Sequence, residues 1–71
     1  MTLTEITYTM TRRDADGQET DRKEERVYLR MRTETAESAK AGKIPLELSL
    51  TMQHIAELQG YNYAGITDIT Y

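Results

Sequence analysis

EITYTMTRRDADGQETDRKEERVYLRMR, residues 5–32, is the stretch that decides the fold of this chain. Ile6, Tyr8 and Met10 alternate with Glu5, Thr7, Thr9 and Thr11, and Val27, Leu29 and Met31 alternate with Arg26, Tyr28, Arg30 and Arg32. A period of two is the side-chain repeat of extended backbone, so each run reads as a strand with one apolar and one wet face. Between them, Asp14-Ala15-Asp16-Gly17-Gln18 contains an Asp-Gly pair, the favoured centre of a type I′ hairpin turn because both central positions need positive φ.

With Asp16-Gly17 at the tip, Ala15 faces Gln18. Counting outward then sets Ile6 opposite Val27, Thr4 opposite Leu29 and Thr7 opposite Arg26. Directly opposed residues share a face, so both apolar sets fall on one side. A three-residue loop with otherwise regular pairing would turn one set the wrong way, so an even loop is expected. The same count sets Tyr8 opposite Glu25 and Met10 opposite Lys23, leaving Arg12 to Arg26 almost wholly polar. The distal hairpin is therefore expected to project beyond the core into solvent.

Beyond the hairpin, Thr35-Ala36-Glu37-Ser38-Ala39-Lys40-Ala41 is rich in helix formers and is followed by Gly42, which predicts a helix of one or two turns. After Pro45 two patterns compete. Leu46, Leu48 and Leu50 alternate like a strand, whereas Leu48, Met52, Ile55 and Leu58 recur like a helix. Gly60 supplies a helix stop, so the reading is a main helix from about Glu47 to Gln59, with a strand over Ile44 to Leu50 as the alternative. Ala64 to Tyr71, with Ile66, Thr67, Ile69, Thr70 and Tyr71, favours a closing strand. The expected fold class is α+β, with one domain over residues 1–71: a β-hairpin, a short helix, a main helix and a C-terminal strand. Together they give a three-stranded antiparallel sheet with helices on one face, because the hairpin's apolar face and the helix stripe each need one partner.

Composition narrows function mostly by exclusion. The chain has 71 residues and no Cys, so disulfides, thiolate nucleophiles and Cys-based metal sites are ruled out. A cysteine-free small domain, without the basic and apolar segments of a signal peptide near its first residues, is expected to be cytoplasmic. The net charge of −3 is unevenly spread: acids and bases balance over residues 1–32, while residues 33–71 carry Lys40 and Lys43 against Glu34, Glu37, Glu47, Glu57 and Asp68. Such a balance is unlike the Lys/Arg field that binds nucleic acid through counterion release. No catalytic constellation is visible, so no enzyme activity, cofactor or metal is expected.

Three motifs have ordinary explanations. His54, three residues before Glu57, lacks further ligands. Asp14, Asp16 and Gln18 space oxygens like a calcium loop, but Glu19 stands where that loop needs glycine. Ala56, Gly60 and Ile66 match helix-turn-helix spacing, yet Tyr63 to Tyr71 holds no Lys or Arg to meet phosphates.

What remains is binding. Arg26, Tyr28, Arg30 and Arg32 would stand in one outward row, and Arg and Tyr are the commonest interface anchors. Gly60-Tyr61-Asn62-Tyr63-Ala64-Gly65 puts Tyr61 and Tyr63 in a glycine-flanked turn, one expected to cap the core and the other to stand free as an anchor. The expectation is a non-catalytic protein-binding module with these six residues as its partner-binding set and a larger protein or complex as its partner. A homodimer is an option, nucleic acid is less favoured, and no membrane partner is expected. In size and character the chain is similar to phage and mobile-element accessory factors, anti-CRISPR inhibitors among them. That analogy implies inhibition by steric or charge occlusion, for instance of a basic site by the acidic second half. A homodimeric nucleic-acid-binding regulator and a small structural or assembly protein are the alternatives.

Overall fold

The computed structural model describes residues 1–71. Strand β1 (Thr2–Arg13) and strand β2 (Glu19–Met31) form the hairpin, followed by helix α1 (Thr33–Lys40), helix α2 (Leu46–Leu58) and strand β3 (Asn62–Thr70). The three strands make one antiparallel sheet in the order β2-β1-β3. The fold is α+β, as the residue patterns predict, and β1 is its central strand.

The hairpin register is the expected one: Ile6 pairs with Val27, Thr4 with Leu29 and Thr7 with Arg26. The turn is not. Asp14 N–H donates to Gln18 O at 3.0 Å and Gly17 N–H donates to Asp14 O at 3.0 Å, which closes a three-residue loop over Ala15, Asp16 and Gly17. Only Gly17 of these has positive φ, at 81°, whereas a type I′ turn needs it at Asp16 as well. The Asp14 carboxylate selects this turn by accepting the backbone N–H of Asp16 at 2.9 Å and of Gln18 at 3.0 Å. Parity is restored one step further along: Arg12 pairs with Asp21 but Arg13 with Glu19, so Thr20 is bulged out of register. The expectation of an even loop is thus corrected, since an odd loop and one bulge cancel.

Helix α2 resolves the conflict over residues 44–50 in favour of the helix. It begins at Leu46 after Pro45 and turns Leu48, Met52 and Ala56 inward, leaving Leu46 and Leu50 exposed. At its C-terminus Gly60, with φ 79°, lets Tyr61 N–H reach back to Ala56 O at 3.0 Å and Gly60 N–H to Glu57 O at 2.9 Å, a Schellman closure. Helix α1 ends in the same manner, with Lys43 N–H on Ser38 O at 2.9 Å.

Both helices pack on the face that carries Ile6, Tyr8 and Met10. There Met31, Ala36, Ala39, Leu48, Met52, Ala56 and Ile69 complete the core. Strand β3 contributes to it through two register shifts: Ile69 pairs with Ile6, Ile66 with Tyr8 and Tyr63 with Met10. Thr67 and Ala64 are the extra residues, so inward side chains recur every third position rather than every second. Beyond Thr11, which pairs with Asn62, the hairpin extends past β3 with every residue from Arg12 to Glu24 exposed.

Candidate interaction face of the sheet

Because both helices lie on one side, no helix covers the opposite side of the sheet, where Glu5, Thr7 and Thr9 are half-buried and Thr11 is buried. Its layout follows from the register. Down the centre run Glu5, Thr7, Thr9 and Thr11 of β1; on one flank stand Tyr28, Arg26, Glu24 and Arg22 of β2, and on the other Thr70, Asp68, Gly65 and Asn62 of β3. Arg30 sits beside Leu3 at the end of the same flank. The threonines keep the middle low and uncharged, so the charged and aromatic groups line the β2 side.

Tyr28 is 59% exposed and Leu3 55%, and the two stand on this same face on neighbouring strands. The Tyr28 hydroxyl donates to Glu5 Oε2 at 2.8 Å, which holds the ring in place while leaving its face open. That bond, with the negative charge of Glu5, holds the Tyr28 hydroxyl pKa above its ordinary value. The ion pairs of the molecule are Arg22–Glu19 at 2.7 Å and Lys23–Glu25 at 3.0 Å, so Arg26, Arg30 and Arg32 have no carboxylate partner. Free guanidinium groups beside an exposed aromatic ring form a ready contact surface.

The expected row is only partly realised. Arg26, Tyr28 and Arg30 share the face, but strand pairing ends at Met31 and Arg32 is the residue from which α1 starts. Arg32 instead lines a groove of about 610 Å³ between the end of β2 and the start of α2, with Arg30, Glu47, Leu48 and Thr51.

The two tyrosines of the turn are both half-buried and packed against the core, so neither stands free. Tyr61 has a function in the structure that its sequence neighbourhood does not signal. Its ring lies 4.3 Å from the Arg12 guanidinium carbon and 5.6 Å from Lys23 Nζ, and its hydroxyl donates to Asp21 Oδ2. Arg12 Nε also donates to Gly60 O at 3.4 Å. The stem of the projecting hairpin is therefore tied to the end of α2. The bond to Asp21 raises the Tyr61 pKa, and the same bond lowers that of Asp21. Burial raises the pKa of Tyr63.

The other motifs fall into structural places. His54 and Glu57 are both exposed on α2, and no three His, Cys, Asp or Glu side chains gather as a metal site. Asp14 is occupied by its turn. The segment that a helix-turn-helix would need as its recognition helix is strand β3. No helix is long and apolar enough to cross a membrane.

No protein-family model matches the chain, and searches of curated proteins and of solved structures find nothing significantly similar.

Proposed function

We propose that this chain is a non-catalytic protein-binding module that engages a larger protein through its bare sheet face, with Arg26, Tyr28 and Arg30 as the anchors and Leu3 beside them. The observation that carries this reading is the open face itself, where unpaired arginines flank a largely exposed tyrosine. Charge balance on that face favours a protein over a nucleic acid: Arg22, Arg26 and Arg30 are matched by Glu5, Glu24 and Asp68. A polyanion needs a net positive field, whereas a protein surface can be met by uncharged threonines and an exposed tyrosine with charges of both signs around them. A molecule of 41 × 19 × 17 Å offers on its long side an area comparable to the roughly 800 Å² that a standard interface takes from each partner. Occupying that much of a partner would block any other ligand using the same ground, so steric inhibition is the mode of action proposed.

The test is affinity capture from a host lysate with the wild-type chain beside an Arg26→Ala/Tyr28→Ala/Arg30→Ala variant whose fold is verified by circular dichroism. A protein held by the wild type and lost with the variant supports the reading. Equal capture by both would show that another surface makes the contact, and nuclease-sensitive capture would favour nucleic acid.

A further inference from the structure

The two edges of the sheet differ. Strand β3 is broken by register shifts at Thr67 and Ala64, a device that discourages further pairing along an edge. Strand β2 is the opposite edge and has no irregularity between Asp21 and Met31. It pairs on one side only, with β1, so alternate N–H and C=O groups along its other side face solvent. A long regular edge is a template for another strand unless its side chains forbid the pairing.

Here the side chains permit one pairing with a second copy. Two copies related by a two-fold axis perpendicular to the sheet pair antiparallel, and a given residue then lies on the axis opposite itself. The registers centred on Glu25, Arg26 and Val27 are those that use most of the regular run. Centring on Glu25 opposes Glu24 to Arg26 and Arg22 to Tyr28, twice each, but sets two Glu25 carboxylates face to face on the axis. Centring on Arg26 opposes Arg26 to itself and Arg22 to Arg30. Centring on Val27 opposes Val27 to Val27 and, twice each, Arg26 to Tyr28, Glu25 to Leu29, Glu24 to Arg30 and Lys23 to Met31, with no like charges opposed from Lys23 to Met31. Like charges directly opposed across strands destabilise, while opposite charges and cation–aromatic pairs stabilise, so this register is selected by charge.

We infer that two copies of this chain associate edge to edge through β2, centred on Val27, into a continuous six-stranded antiparallel sheet. The order is β3-β1-β2-β2-β1-β3. All helices lie on one face of this sheet, and the Arg/Tyr faces of the two copies merge into one on the other. Arg26 and Arg30, which form no ion pair within the single chain, find partners across the axis: Arg30 meets Glu24, and Arg26 meets the open face of the Tyr28 ring. The association does not rest on recruitment of another protein, since it needs only β2.

Analytical ultracentrifugation of the full chain at low and high salt tests it, using Glu24→Arg, Arg30→Glu and their equimolar mixture. The wild type is expected to be a dimer weakened by salt. Each single variant sets two like-charge pairs across the axis and is expected to associate more weakly by on the order of tenfold or more. The mixture restores both Glu–Arg pairs in a heterodimer and should regain association. A wild type that stays monomeric at the highest concentration would overturn the inference. So would single variants that dimerise like the wild type, or a mixture that gains nothing over its parts. Circular dichroism verifies folding of each variant. As a measurement free of substitutions, amide exchange along β2 in the wild type should slow as concentration rises, and concentration-independent exchange there would refute the pairing.

Discussion

Replacing Leu46, Leu48 and Leu50 one at a time by Ala separates the two ways this segment can be read, because a strand would turn all three to the same side and a helix turns only one inward. In the structure Leu48 is 6% exposed against 73% for Leu46 and 53% for Leu50. Truncating a buried leucine removes its transfer free energy and leaves a cavity, about 3 kcal/mol for a site that closes only partly. Leu46 has roughly a quarter of its surface covered, which scales to about 0.5 kcal/mol, and half-covered Leu50 to about 1 kcal/mol. Alanine's higher helix propensity trims both a little. A domain of this size is held by only about 3–5 kcal/mol, so Leu48→Ala should keep only about 0–2 kcal/mol and populate the unfolded state measurably in buffer, while the other two stay well folded. Urea denaturation followed by circular dichroism, extrapolated linearly to zero denaturant, measures all three. Comparable losses at the three positions, or a larger loss at Leu50 than at Leu48, would refute the helical phase and with it the placement of the core.

Gly17→Ala should destabilise by about 1–2 kcal/mol through backbone strain alone, since φ is 81° and an added Cβ would meet nothing within 4 Å. A neutral effect in the same urea assay would mean that the loop is not the one described. The Tyr61–Asp21 tether should respond to pH at both extremes. Tyr61 has a raised pKa, so its contribution is complete below the unfolded value and is lost as pH climbs through the folded one. Asp21 has a lowered pKa, so its contribution is present above the unfolded value and is lost as pH falls through the folded one. Tyr61→Phe should remove this bond's part of both limbs, and unchanged pH profiles would show that the bond does not hold in solution. Tyr8→Phe should cost about 1 kcal/mol, because its hydroxyl accepts Gln59 Nε2 at 3.1 Å beside the core; stability equal to wild type would place that hydroxyl in water instead.

The hairpin register was legible because it is fixed twice over, by the phase of Ile6, Tyr8 and Met10 and by that of Val27, Leu29 and Met31. The loop type was not, because an odd loop with a bulge at Thr20 leaves the same alternation as an even loop without one. Asp14 carried the missing signal: a carboxylate two and four residues before free N–H groups favours the turn that forms. Strand β3 hides its face for a related reason. Tyr63, Ile66 and Ile69 recur at intervals of three, which reads as no strand pattern, and only the bulges at Ala64 and Thr67 bring them to one side. Strand order could have been inferred from the wet faces. The outward residues of β1 from Thr7 to Thr11 are uncharged threonines, fit for a strand flanked on both sides, while those of β2 are mostly charged, as suits a strand with one side in solvent. On the candidate face, Arg26, Tyr28 and Arg30 followed from alternation, but Arg32 lies one residue past the end of β2. The role of Tyr61 depends on Arg12, Asp21 and Lys23, which reach it only after the chain has folded back.

The division of the molecule into a structural side and a free side has one physical cause. Both helices pack over a core of Tyr8, Met, Ala, Ile and Leu on one face of the three-stranded sheet, and neither reaches the other face, where Leu3 and Tyr28 stay exposed. Its exposed surface of 4850 Å² exceeds the roughly 4500 Å² typical of a folded chain of 8.2 kDa, and the projecting hairpin is where the excess lies. A sequence selected only for stability would shorten that hairpin and cover β2 with a helix. This one keeps thirteen residues in β2, leaves its edge regular and sets arginines, a glutamate and an exposed tyrosine along it. Extra edge and extra charge add little to the stability of the isolated chain, and that surplus is what the proposed contacts through β2 would use.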